Sequence, residues 1–181
     1  MLRFLRNILQ LLLSPGNGWE DFAQESPSPD ELKRDGLMPL LGIAVITVFF
    51  GMVYDHTSFG KTLICAITLA GSYFLAIYAG RLFFDLYFER ITGVKSDLTR
   101  QSNFIIMGLG IMLVFQIIEN CLPWNIVFLK FLPVYAILIL AKGASYMQVP
   151  RRALMRFTAF SACVIVLLPL LIYYIIFLIV I

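Results

Sequence analysis

Chemistry needs side chains that move a proton, hold a metal or attack a bond, and this chain offers few. Its one histidine, His56, follows Asp55 in the segment YDHTSFGK. One imidazole beside one carboxylate makes neither a nucleophilic triad nor a metal centre, since both need further groups. The pair reads as part of an exposed loop. Cys65, Cys121 and Cys163 are spaced too widely for a zinc or redox motif. Cys65 and Cys163 lie in apolar runs, where a thiol behaves as a small hydrophobe, and Cys121 reads as a free thiol near a surface. Gly108-Leu-Gly110 lacks the strand–turn–helix setting of a nucleotide loop. Together with Ala76 and Gly80, it reads as a place where helices approach closely. No catalytic group, metal ligand or cofactor site is expected, and the chain is read as not an enzyme.

The remaining chemistry is charge in apolar surroundings. Lys130 and Glu119 lie near the ends of apolar runs, where ionisable groups are costly and often functional. They form a candidate intramembrane pair across neighbouring helices, and Lys130 can also snorkel to the surface. Arg81 and Asp85 are four apart and can pair locally. The middles of the apolar runs carry no charge, which argues against an ion channel or a proton-coupled carrier. A second kind of candidate is a cationic surface. Arg3, Arg6, Lys142, Arg151, Arg152 and Arg156 are candidate contacts for anionic lipid or a protein partner, and the same residues can serve only to set topology.

The elements that carry these groups follow from composition. Hydrophobic residues make up 60% of the 181 residues and charged ones 14%, and the mean hydropathy is +0.88. A water-soluble domain of this size needs more polar cover. The chain therefore reads as all-α, a polytopic integral membrane protein. Five spans are predicted, at about 37–54, 62–80, 104–118, 124–141 and 157–181. The second continues as helix through Arg81 to Phe88. Pro133 and Pro169 fall inside spans and can kink them. The fourteen basic residues fall 4, 1, 4, 0, 1, 4, 0 along the successive connections and spans, the lone fifth value being Lys130 within span four. Alternate connections are basic, which predicts the N-terminus inside and the C-terminus outside.

Residues 1–36 read as a cytoplasmic amphipathic and polar N-terminal cap on the membrane domain 37–181. In residues 2–13 one face carries Arg3, Arg6, Asn7 and Gln10, and leucines cover the rest. Such a helix suits either the membrane interface or the inner end of the bundle. SPGNG at 14–18 reads as a turn with Gly16 and Gly18 at positive φ. Trp19 suits headgroup level. Ser28, Pro29, Asp30 and Glu31 predict a helix start, and Gly36 a stop. The basic start and short apolar core could suggest a signal peptide, but no cleavage site follows, so the segment is read as retained.

The order of pieces resembles the Yip (Ypt-interacting protein) domain family, most closely its bacterial members. The likeness rests on LLLSPGNGWEDF at 11–22, on five spans after an inner N-terminus, and on FLKFLPVYAILILAKGASYMQVPRRAL at 128–154. The resemblance implies fold, topology and a bacterial inner (plasma) membrane. Eukaryotic members are linked to Rab-type GTPases, but no residue here matches a GTPase contact. The leading expectation is a non-enzymatic scaffold or adaptor whose cytoplasmic face meets another membrane or cytoplasmic protein, or anionic lipid. The alternative is a small transporter or lipid-handling protein with Glu119 and Lys130 near its outer mouth. The lipid bilayer is the one partner the composition demands, and no nucleic acid is expected. The sequence leaves the oligomeric state open.

Overall fold

A computed structural model describes residues 1–25, 27–54, 56–95, 97–122, 129 and 131–180. They are helical throughout, with no strand among them. Four helices are long and apolar enough to cross a membrane: α3 (Pro29–Tyr54), α4 (Phe59–Thr92), α5 (Leu98–Cys121) and α7 (Arg151–Leu178). Three are shorter: α1 (Leu2–Leu13), α2 (Pro15–Glu25) and α6 (Leu132–Lys142).

α5 is the axis of the bundle. Every residue from Gln101 to Leu113 is buried, and from Phe104 onward the stretch is apolar on all sides, as an enclosed helix requires. Its two glycines permit neighbours to close in from different directions. A Cβ on Gly108 would lie 2.8 Å from Ile165 of α7, and one on Gly110 would lie 2.8 Å from the Phe4 ring of α1. The small-residue packing expected from the sequence is thus present, with a different partner at each glycine.

α4 runs antiparallel to α3, α5 and α7. Gly80 of α4 faces Ile105 of α5, and Phe84 stacks near Phe104 at 5.9 Å. At the other end Asn120 of α5 bonds Thr47 of α3 at 3.1 Å. We call the end holding the 92–97 and 143–150 connections the basic end, and the opposite one the far end. α4 has 34 residues, roughly 51 Å at 1.5 Å per residue. That is about 20 Å more than a hydrocarbon core needs, and the last turns of the helix carry Asp85, Glu89 and Arg90. Asp97 caps the start of α5, accepting from Thr99 at 3.0 Å and Arg100 at 3.2 Å.

The N-terminal region differs from the sequence reading in three places. Ser28 does cap α3 and Pro29 opens it, but Gly36 does not stop it. The helix widens into a π-helical turn over Leu32–Leu37 and continues. Gly36 is there because the Phe4 ring lies against it, 2.4 Å from where a Cβ would sit. The 14–18 segment is not a glycine turn: α2 starts at Pro15, and among the described residues the one glycine at positive φ is Gly93. Gly18 instead lets α2 press on the backbone of Leu11, 3.0 Å from a Cβ position. Trp19 is fully buried rather than at a surface.

Its indole explains how α2 is held. Trp19 Nε1–H donates to the carbonyl of Ile139 at 2.9 Å. Ile139 is among the last four residues of α6, and its carbonyl also accepts from the Gly143 N–H at 3.2 Å, so the indole adds a second donor at the helix end. In return the Tyr135 hydroxyl of α6 donates to the carbonyl of Leu12 at 2.5 Å, near the end of α1. The hairpin and the short helix thus cap each other. Pro133 sits in the first turn of α6, where its missing N–H costs nothing, so it starts that helix rather than kinking it. In α7 a π-helical turn over Ala162–Leu167 precedes Pro169 and absorbs the lost backbone bond.

α1 presents three faces. Phe4, Ile8 and Leu11 are buried against the bundle. The polar stripe meets α2: Arg6 pairs with Glu25 at 2.6 Å, Asn7 donates to the same carboxylate at 2.9 Å, and Gln10 donates to Asp21. Leu2, Leu9 and Leu13 remain exposed. Of the two placements that suit the amphipathic pattern, the helix takes the one against the bundle, and it keeps an apolar face outward.

Candidate functional site

In the far half a cavity of about 360 Å³ opens between α3, α4, α5 and α7. This lies in the lower part of the range for small-ligand sites, about 300–1,000 Å³. Four tyrosines (Tyr54, Tyr73, Tyr173 and Tyr174) line it with Leu69, Pro169 and Leu170, and its polar groups include Ser72, Gln116, Glu119 and Lys61. Apolar walls with a few polar groups are what binds a molecule with a greasy body and a polar head.

Local structure sets these groups. α3 tightens into a 3₁₀ turn over Val48–Phe50, just after Thr47, whose hydroxyl donates to Ala44 at 2.7 Å. Asn120 fills the same place from α5, donating to Thr47 Oγ1, and accepts from Gln116 at 3.1 Å one turn earlier. Glu119 lies between these two on the helix, and both oxygens of its half-buried carboxylate lack a hydrogen-bond or ion-pair partner among the described residues. Ser58 caps α4 at its far end. Thr62, one turn in, bonds the Ser58 carbonyl at 3.2 Å and the Thr57 hydroxyl at 3.0 Å. Ser72 is fully buried and turns its hydroxyl to the Leu69 carbonyl at 2.8 Å.

The structure places Glu119 in the lining of this cavity. Its expected partner Lys130, and the Asp55 beside His56, lie outside the described residues. Lys61 is the cation that shares the cavity lining with Glu119. The sequence held a signal for it, because Lys61 is the lone basic residue between the first two spans.

Of the six cationic candidates, Arg6 is taken up by Glu25, and Arg3, Lys142 and Arg151 are exposed. Arg152 and Arg156 line a small recess with Arg90, which the sequence reading placed only in the topology tally. Beside them the aromatic cluster closes the basic half: Trp19 lies 5.2 Å from Phe104 and 5.3 Å from Tyr146, and Phe104 lies 5.4 Å from Phe157. Burial there pushes the Tyr146 phenol above its ordinary pKa. Among the described residues no group of three His, Cys, Asp or Glu is placed to hold a metal ion.

Comparison with protein-family models, with curated proteins and with solved structures finds no match.

Proposed function

We propose that the chain is a non-enzymatic, five-span membrane protein that binds a small amphiphile in its far-end cavity. The observation that carries this is the half-buried Glu119 carboxylate in a cavity walled mainly by apolar and tyrosine side chains. A carboxylate among aromatic rings favours a cationic or hydrogen-bond-donating head, and the apolar walls favour a tail. In this reading the remaining crossing, the fourth in chain order, includes α6 (Leu132–Lys142). α6 begins beside Phe115, with Tyr135 at 6.5 Å, and ends at Gly143 against Phe104, so the chain returns toward the basic end. The alternation of basic connections supports placing that end in the cytoplasm. The Yip-type resemblance belongs to the same proposal, and the bacterial inner membrane rests on it.

The test is binding of a dansyl-labelled alkylamine to the purified full chain in nanodiscs. Glu119→Gln should weaken it about 10- to 100-fold, the worth of a charged hydrogen bond. Cys163→Ala, on an exposed surface, should leave it unchanged. Equal binding by wild type and Glu119→Gln would end this reading.

A second reading, the adaptor, draws on Glu20, Asp30 and Glu31, which are exposed at the basic end and form no ion pair among the described residues. They suit a basic segment of a cytoplasmic protein. Neutralising all three should abolish crosslinking to such a partner while leaving alkylamine binding intact. A crosslinking pattern that survives the triple change would remove it.

A further inference from the structure

The recess at the basic end is separate from the cavity. Arg90, Thr92 and Gly93 line it from the end of α4, and Arg152 and Arg156 from the first turns of α7. Three guanidiniums from two helices thus share one small space. Like charges brought together repel, and an anion among them relieves that repulsion. None of the three forms an ion pair among the described residues, where the paired arginines are Arg6, Arg34 and Arg100. The space beside Gly93 is open, since an added Cβ there would meet nothing within 4 Å. Guanidinium forks match the oxygens of phosphate two at a time.

The neighbours distinguish a lipid from a soluble anion. Leu86 lies one turn before Arg90 on the same side of α4 and Leu82 one turn before that, and they are 60% and 58% exposed. Met155, one turn along α7 from Arg152, is 86% exposed. Apolar side chains thus lead back from Arg90 along α4, and on α7 Met155 lies between Arg152 and Arg156. A soluble phosphate has no use for them, whereas acyl chains do.

We infer that Arg90, Arg152 and Arg156 bind the phosphate of one anionic phospholipid, whose chains lie along Leu82, Leu86 and Met155. This rests on the basic end lying at a leaflet surface and is independent of the far-end cavity. Arg151 takes no part.

The full chain is placed in nanodiscs of phosphatidylcholine with a minor fraction of phosphatidylglycerol, and retained phosphatidylglycerol is counted by native mass spectrometry. One molecule should stay with the wild type. Arg90→Gln, Arg152→Gln and Arg156→Gln together should cut retention about a hundredfold, at roughly fivefold for each charge. A control triple, Arg3→Gln, Lys142→Gln and Arg151→Gln, removes as much charge from the same end and should retain the lipid. The all-lysine recess variant keeps the charge and loses the forks. It should bind less than the control, and it serves as the readout if the glutamine variant is not monodisperse. Equal loss in recess and control variants would overturn the site, as would wild-type retention by the lysine variant. Displacement by inorganic phosphate would reassign the recess to a soluble anion and overturn the lipid.

Discussion

Toward the basic end, aromatic rings from four separate stretches of chain interlock around Phe104, with Trp19, Tyr146, Phe84 and Phe157 all within 6 Å of it or of one another. Toward the far end, the same four long helices part around a cavity of about 360 Å³ whose wall includes Ser72, Gln116, Glu119 and Lys61. The difference traces to what fills the space between helices. The basic half gains α1 and α2, which bring Phe4, Ile8, Leu11, Trp19 and Phe22 into the core, and no comparable hairpin is placed in the far half among the described residues. One end is a closed packing unit that holds the helices in register. The other is free to be shaped by what it binds.

The largest test of this contrast is Trp19→Ala. It removes a fully buried ring and the cap on α6, and should cost about 3–5 kcal/mol, as large aromatic truncations do. Thermal unfolding in detergent should show it, and a variant as stable as wild type would mean the closed half is not the anchor. Next comes Gly143→Ala, whose Cβ would lie 2.5 Å from Phe104 and 2.9 Å from Trp19. Overpacking of that kind costs about 1–3 kcal/mol, readable as a lower denaturation midpoint. Arg6→Ala breaks a pair whose side chains are 65% and 40% exposed. It should change stability by under about 1 kcal/mol, so a larger loss would show that α2 depends on its polar seam. Cys65→Leu adds bulk as Gly143→Ala does, but into the cavity wall. Its midpoint should barely move while alkylamine binding falls. A large stability loss there would show that the far half is as tightly packed as the other.

Much of the scaffold was legible because it is local. Apolar runs marked the long helices, Ser28 with Pro29 marked the start of α3, and Gly108 with Gly110 marked close approach. Errors arose where one residue type serves two ends. Glycine permits a turn and also permits contact, and Gly18 and Gly36 were read as the first when Leu11 and Phe4 use them as the second. Trp19 suits a headgroup layer by type, yet its partner Ile139 is 120 residues away, beyond any local pattern. The cavity was invisible for the same reason. Tyr73, Glu119 and Tyr173 come from three runs that each read as plain membrane helix, and only their juxtaposition makes a site. The sequence reading also had residues 1–36 as a polar cap on the membrane domain. With six of its large side chains in the shared core, point changes are a cleaner probe of it than deletion.

The mutual capping of hairpin and short helix has a consequence for the order of synthesis. Leu12 and Trp19 leave the ribosome first, while Tyr135 and Ile139 are made 123 and 120 residues later. At about 5–20 residues per second, that is a wait on the order of ten seconds. During it α1 can pair with α2 and then meet Gly36 of α3 and Gly110 of α5 as they emerge, so the bonds to α6 are the last of these contacts to close.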